Sequence, residues 1–273
     1  MMSCSLIDFQ KVICDLLRWI GRKTPNIPYV RAIPNRLLKP LHLTFGMEGG
    51  VVEVLGFRMH LEPNECVDGN LWFAPHLYDR DEIRFLIQQM PEDGIFVDVG
   101  ANIGFWSLYF SHFYPRSRIC AIEANPETFS VLLENIKINA FHNIIPIHVG
   151  VSDNTGELPL YCNDRDNRGA DSFADYANNK ARYVLVAVKP LVPILVAAGV
   201  TRIDVLKMDI EGFEARVLVR FFAEAPRRLW PSFICVEVSH VPQVVPLLQK
   251  RGYCIVLSSG ENCVFRLLFD YSD

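Results

Sequence analysis

An acid, two glycines and an asparagine follow an apolar run in the segment Ile95-Phe-Val-Asp98-Val-Gly100-Ala-Asn102-Ile-Gly104. Gly100 and Gly104 lack a Cβ, so the backbone can turn sharply there and let a ligand approach closely. Asn102 tolerates a left-handed backbone better than most other residues. Asp98 adds a carboxylate just before the turn. The segment therefore predicts a strand, a tight ligand-binding turn and a helix.

A second acid, Glu123, ends the next apolar run about twenty residues later, and Ala124 follows it. A carboxylate in that position can accept hydrogen bonds from two ribose hydroxyls. The turn and this acid together predict a site for an adenosine-containing cofactor, at the carboxyl edge of a parallel sheet.

Two cofactors are compatible with such a site. Nicotinamide dinucleotides usually need a G-x-G-x-x-G turn, whereas Gly100 and Gly104 lie four residues apart here. S-adenosylmethionine carries an ammonium and a sulfonium and no phosphate, so Asp98 favours this methyl donor and is expected near its ammonium group. Ser152 and Asp153 follow the third predicted strand, and Asp153 is expected to face the adenine amino group.

Another dense group of charges lies in Lys207-Met-Asp209-Ile-Glu211-Gly212-Phe-Glu214, at the end of a further apolar run. Alternate residues of a strand share a face, so Lys207 and Asp209 can point at the same ligand. This group is expected beside the cofactor, because parallel strands end at one edge of their sheet. In the alternative interpretation, Glu211 and Glu214 only cap the next helix and Lys207 pairs with Asp209.

An acceptor that loses a proton when it is methylated would need a base, and Asp209 is the first candidate. Lys207 and Glu211 would then orient the acceptor. His240 is the alternative base, because the pKa of a free imidazole lies near neutrality, and Glu237 could face the same cleft. Asp209 and Glu211 could hold a divalent cation, but no group of His and Asp with clear ligand spacing supports one. No metal is therefore predicted.

The order of the predicted elements indicates how these side chains are brought together. Apolar runs alternate with helical patterns after residue 95, and two last strands flank Gly260. This order predicts a doubly wound α/β sheet with one antiparallel strand near its edge. The segment 157–162 is hairpin-like, strand 183–188 is one of the alternating strands, and the polar loop 163–182 is expected to form a lid.

An N-terminal extension is predicted for residues 1–50, followed by the cofactor-binding domain at residues 51–273. Residues 6–20 place apolar side chains on one helical face, which predicts docking on the chain itself or a homo-oligomer through this helix. A membrane-surface role is less favoured, because Asp8 and Asp15 offset Lys11 and Arg18.

Residues 24–40 carry four prolines and predict an extended connector. Residues 51–61 predict a small hairpin.

Composition limits the class of protein. The chain has 273 residues, half of them hydrophobic, with a net charge of −4, which allows one large α/β domain and argues against a dedicated nucleic-acid binder. The eight cysteines contain no C-x-x-C pair, which predicts reduced thiols in a cytoplasmic protein. The longest apolar stretch, 184–200, is broken by Lys189, Pro190 and Pro193, so no transmembrane segment is predicted.

With both groups of residues considered, the chain resembles the FkbM-type S-adenosylmethionine-dependent methyltransferases. The resemblance covers residues 51–253 and rests on Asp98-Val-Gly-Ala-Asn-Ile-Gly104, Glu123-Ala-Asn-Pro126 with Asn135 and Asn139 after it, and Leu206-Lys-Met-Asp-Ile-Glu-Gly-Phe-Glu214. Ala124 stands where family members usually have Pro. The resemblance implies a class I, Rossmann-like methyltransferase fold with a seven-stranded sheet. It also implies methyl transfer, usually to a hydroxyl oxygen of a sugar or secondary metabolite.

Three functions remain open at this point. The favoured one is an S-adenosylmethionine-dependent O-methyltransferase acting on a small-molecule or glycan hydroxyl. A nicotinamide-dependent oxidoreductase is disfavoured by the missing G-x-G-x-x-G. The third is a cofactor-binding protein with the same fold and no catalytic activity.

Overall fold

The computed structural model describes residues 2–27, 29–44, 48–162, 168–173, 182–239 and 241–268. The chain forms two compact units, residues 1–80 with 165–169, and residues 81–164 with 170–273. The sequence predicted a boundary after residue 50, and that boundary stays a prediction. No helix within the described ranges is long and apolar enough to cross a membrane.

The first unit is built on the predicted N-terminal helix, α1 (Met2–Arg22), which packs against α3 (Cys66–Phe73). Gly21 allows this close packing, because a Cβ there would lie 2.3 Å from the Phe73 carbonyl oxygen. The strands β1 (Gly50–Val54) and β2 (Phe57–Leu61) pair antiparallel. Both the amphipathic helix and the hairpin are therefore confirmed.

The predicted extended connector at residues 24–40 is wrong. Its second half is helical, with one π-helical turn at Pro34–Leu38 that leads into α2 (Lys39–Thr44). Pro34 is the first residue of the π turn and Pro40 the second residue of α2. The first turn of a helix needs no backbone N–H at the position of Pro34, so proline fits there, and the spacing of prolines misled the prediction.

The second unit contains a seven-stranded sheet with the strand order β11-β12-β10-β9-β3-β4-β5. Its strands are β3 (Ile95–Val99), β4 (Arg118–Glu123), β5 (Ile144–His148), β9 (Val205–Met208), β10 (Phe233–Glu237), β11 (Tyr253–Ser259) and β12 (Asn262–Leu267). Helix α4 (Arg80–Gln89) precedes β3, and the helices between the strands are α5 (Phe105–Phe113), α6 (Pro126–Asn139), α7 (Leu191–Ala197), α8 (Glu214–Glu224) and α9 (Val244–Gln249). Strand β12 alone runs antiparallel to its neighbours within this sheet. The predicted doubly wound, class I-type sheet with one antiparallel strand is confirmed.

One strand was assigned to the wrong sheet. The strands β6 (Gly150–Val151), β7 (Gly156–Tyr161) and β8 (Tyr183–Lys189) form a separate three-stranded sheet, in which β7 and β8 are antiparallel. Buried and exposed residues alternate along β8. A strand with one wet face does not belong in a sheet covered by helices on both faces.

The core of the main sheet fixes the position of its carboxyl edge. Every residue of β3, β9 and β10 is buried, as expected for parallel strands covered on both faces. The Phe96 ring stacks on Phe110 at 4.3 Å, and Trp106 lies parallel to Phe110 at 6.1 Å. This contact holds α5 against β3, so that the turn between them has a defined place.

Candidate active site

The turn after β3 requires a glycine at its first position. Gly100 has φ +75°, and a Cβ there would lie 1.9 Å from the carbonyl oxygen of Asp209. The backbone N–H groups of Gly100 and Ala101 both donate to the Ile122 carbonyl, at 3.0 and 2.9 Å. The turn is thus held between the ends of β4 and β9, with no room for a side chain.

The rest of the turn uses two more left-handed residues. Asn102 has φ +51°, and its Oδ1 accepts a hydrogen bond from the Ile103 N–H at 2.8 Å. Gly104 has φ +94°, and a Cβ there would lie 2.5 Å from Leu132 Cδ1. Asn102 thus adopts the left-handed backbone that its residue type tolerates.

Glu123 connects the two turns that border the predicted cofactor site. Its Oε2 accepts a hydrogen bond from the Asn102 N–H at 2.9 Å, and its Oε1 accepts one from the Asn125 N–H at 2.8 Å. Burial raises the pKa of Glu123 to about 7, although both hydrogen bonds favour the charged form. The Ala124 carbonyl lies 3.1 Å from His148 Nε2.

Asp98 lies beneath the turn, with no exposed surface. Its Oδ2 accepts a hydrogen bond from Ser107 Oγ at 2.7 Å, and its Oδ1 lies 3.7 Å from Lys207 Nζ. Burial raises the pKa of Asp98, and the nearby lysine opposes this shift. Lys207 also donates to the Gly100 carbonyl at 2.9 Å. The contacts that Asp98 and Lys207 make in the structure stabilise the turn. The predicted contact of Asp98 with the ammonium group of the donor stays a prediction.

Three carboxylates gather at the ends of β9 and β10. Oxygens of Asp209, Glu211 and Glu237 lie within 4.8 Å of one another, and Asp209 pairs with Lys207 at 3.3 Å. Burial raises the pKa of Glu211 to about 8, with further contributions from Asp209 and Glu237. Carboxylates this close can share a proton or hold a divalent cation. We refer to these three residues as the carboxylate cluster.

Glu214 has a structural role instead. Its side chain is fully buried, and its two oxygens accept hydrogen bonds from the N–H groups of Ile210 at 2.8 Å and Gly212 at 3.0 Å. These bonds close the turn that precedes α8. The capping interpretation is therefore correct for Glu214, whereas the Glu211 carboxylate lies in the carboxylate cluster.

The predicted adenine-binding residues lie after β5 and β6. Ser152 is buried and its Oγ donates to Asp153 Oδ1 at 3.1 Å. Arg216 donates to both oxygens of Asp153, at 3.0 and 3.1 Å. Partial burial opposes the effect, but these bonds hold the pKa of Asp153 below its usual value. The arginine contact was not visible in the sequence, and the adenine role of Asp153 stays a prediction.

Two residues of the polar loop reach the site and were not singled out from the sequence. Asp171 Oδ2 accepts a hydrogen bond from Asn125 Nδ2 at 2.6 Å, and Ser172 Oγ donates to the Glu211 carbonyl at 2.6 Å. This short segment therefore connects the ends of β4 and β9. The predicted lid otherwise lies mostly outside the described residues, as does His240, the alternative base.

Comparison with known proteins agrees with this arrangement. Residues 98–255 match the family model of the methyltransferase FkbM domain. Methyltransferase sdnD of Sordaria araneosa is 32% identical over 221 residues, which cover 69% of this chain and 82% of that protein. The hexuronic acid methyltransferase AglP of Haloferax volcanii is 30% identical over 141 residues, covering 51% of this chain and 55% of that protein.

Among solved structures, that of M. jannaschii TYW2 in complex with AdoMet is 15% identical, with a TM-score of 0.43 over 82% of this chain and 89% of that one. Because this score is low, the assignment of the fold depends on the strand order of the sheet and not on this match. The match to the family model spans the glycine turn, Glu123 and the carboxylate cluster. The chain therefore belongs to the FkbM methyltransferase family, whose methyl donor is S-adenosylmethionine, as the sequence predicted.

Proposed function

We propose that this chain transfers a methyl group from S-adenosylmethionine to a hydroxyl oxygen of a saccharide or secondary metabolite. One observation carries the proposal: the backbone oxygen of Asp209 lies directly against the position of a Gly100 Cβ. The glycine turn at residues 100–104 and the carboxylate cluster are therefore immediate neighbours. Methylation of a hydroxyl requires a donor site beside a group that can accept the hydroxyl proton. The glycine turn and the carboxylate cluster would supply these two parts.

The residues around the turn fit the donor. Each Glu123 oxygen accepts one backbone hydrogen bond, and a carboxylate oxygen has room for a further one, which two ribose hydroxyls would supply. Gly100 and Gly104 leave the backbone of the turn free to lie close to the methionine part. Ser152 and Asp153 are proposed for the adenine end. Their positions past β5 agree with the crevice that this fold uses for nucleotides.

The carboxylate cluster is proposed as the acceptor side. When bound, S-adenosylmethionine supplies an electrophilic methyl group on a sulfonium. Asp209 is proposed to accept the hydroxyl proton as the acceptor oxygen gains the methyl group, with Lys207 holding its carboxylate in place. With a pKa of about 8, Glu211 is mostly protonated at neutral pH. It therefore acts as a hydrogen-bond donor that orients the acceptor, and the two neighbouring carboxyls have different roles.

Separate observations support the proposed acceptor class and the proposed cellular location. The relative AglP is a hexuronic acid methyltransferase, which supports a saccharide acceptor. Seven cysteines within the described ranges are free thiols, which supports a reducing compartment, the cytoplasm. The alternative of a non-catalytic binding protein predicts donor binding without product.

The test is a screen of hydroxylated sugars and natural products with isotopically labelled donor, read as a mass increase of the product. We expect Asp209→Asn to lower turnover by about 10²–10⁴-fold while donor affinity changes little. Asp93→Asn is the matched control, because Asp93 lies before β3, at the opposite edge of the sheet, with its side chain 77% exposed. Full turnover in Asp209→Asn would assign the base role elsewhere, with His240 the next candidate. Binding of NADH in place of the donor would contradict the proposal altogether.

A further inference from the structure

Helix α1 carries an apolar stripe that faces solvent. The stripe consists of Phe9, Val12, Leu16, Trp19 and Ile20, which recur at helical spacing. All five are exposed, from 38% for Ile20 to 64% for Val12. Monomeric proteins seldom leave so many large apolar side chains together in water. The stripe therefore indicates a surface that is covered in use.

The packing of α1 determines which way the stripe faces. Leu17 and Gly21 are buried, and Gly21 lies against the backbone of Phe73. On the same helix, the Arg18 guanidinium stacks over the Trp72 ring at 5.1 Å. Because α1 already has a packed side, the stripe is a second apolar face and is not needed for the core of its unit.

Charge is distributed unevenly between this region and the rest of the chain. Residues 1–44 contain seven Lys and Arg against two Asp and no Glu, a net charge of +5, so the other residues carry −9. A second apolar set, Ile33, Leu37 and Leu41, is also exposed in this basic segment. Helix α1 by itself is close to neutral, because Asp8 and Asp15 offset two of its three basic residues, so the excess of positive charge comes from residues 23–44. An apolar helix face within a basic segment is the pattern of helices that lie at the surface of an anionic membrane.

We propose that the α1 stripe binds the surface of an anionic phospholipid bilayer, with the helix lying in the plane of the interface. The apolar side chains would enter the boundary between headgroups and acyl chains, and the exposed Lys23, Arg31 and Arg36 would face lipid phosphates. A second copy of the chain fits less well, because two segments of +5 would repel each other. The proposal concerns the first unit alone and is independent of the proposed methyl transfer.

The test is co-sedimentation of the full chain with vesicles. We expect binding to vesicles of phosphatidylcholine with phosphatidylglycerol, weaker binding to phosphatidylcholine alone, and loss of binding as salt increases. The double substitution Val12→Glu and Leu16→Glu should lower the partition coefficient at least about tenfold, because two apolar contacts become charges. Val196→Glu is the matched control, because Val196 is as exposed as Val12 but lies in the second unit.

Tryptophan fluorescence gives an independent readout. Of the four tryptophans, Trp19 is 60% exposed, Trp72 and Trp106 are buried and Trp230 is half-buried. Anionic vesicles should therefore shift the emission to the blue, and Trp19→Phe should remove most of the shift. Three results would overturn the proposal. These are no binding of the unmodified chain to anionic vesicles, equal loss of binding in Val196→Glu, and an oligomer that dissociates in the stripe variants without any vesicle binding. The last result would assign the stripe to a subunit interface.

Discussion

Replacing Glu123 with Gln keeps the size and shape of the side chain but exchanges one acceptor oxygen for a donor. In the structure each carboxylate oxygen receives a backbone N–H, from Asn102 and from Asn125. The new amide NH₂ would therefore face another donor at one of these contacts. The substitution would also remove the negative charge proposed to accept the ribose hydroxyls of the donor.

The size of the effect follows from these contacts. A hydrogen bond to a charged group contributes about 1.5–3 kcal/mol, and Gln keeps part of it. We therefore expect donor binding to weaken by about 1–3 kcal/mol, which raises the Kd about 5- to 150-fold. Titration calorimetry with S-adenosylmethionine and with S-adenosylhomocysteine measures this directly. Both ligands carry the same ribose, so both affinities should fall by the same factor.

The pH dependence of binding tests the same reasoning. The pKa of Glu123 is about 7 without ligand, and ribose hydroxyls that donate to its carboxylate would lower that pKa. Donor affinity should then be highest above pH 7 and fall about tenfold as the pH drops from 8 to 6. Glu123→Gln should lack this part of the pH dependence. Unchanged affinity in the variant, or equal pH profiles for both proteins, would remove Glu123 from the ribose site.

Three further predictions concern the neighbouring residues. Glu211→Gln should raise Tm by a few degrees at pH 8 and much less at pH 5. Burial, together with Asp209 and Glu237, raises the pKa of Glu211 from 4.5 to about 8, so its cost to stability begins above pH 4.5 and grows until about pH 8. Equal Tm shifts at both pH values would contradict this. Glu214→Ala should lower the free energy of unfolding by about 2–4 kcal/mol in urea titration, because it leaves two backbone N–H groups without their acceptors, and a loss below about 0.5 kcal/mol would refute the capping role. Gly100→Ala should abolish measurable donor binding in calorimetry, since the added Cβ would collide with the backbone of Asp209, and normal binding would show that the turn can move.

Much of the fold and part of the site could be read from the sequence. The seven-stranded sheet was predictable because buried parallel strands appear as continuous apolar runs separated by helical patterns. The extended connector failed because proline is compatible with a first helical turn as well as with extended chain. Strand β8 was assigned to the wrong sheet, because residues 183–188 form a continuous apolar run like that of a buried parallel strand, whereas only the structure shows that alternate residues are exposed.

The sequence by itself determined the glycine turn and the acids at the strand ends. The left-handed backbone at Gly100 and Asn102 is a requirement of the turn itself, so it can be inferred from the types of these two residues. The sequence allowed Glu237 to face the same cleft as Asp209 and Glu211, but only the tertiary structure decided how close these carboxylates lie and that Arg216 pairs with Asp153. Those contacts depend on strand register and on the placement of α8. These bring side chains that are far apart in the sequence to within a few ångströms of each other.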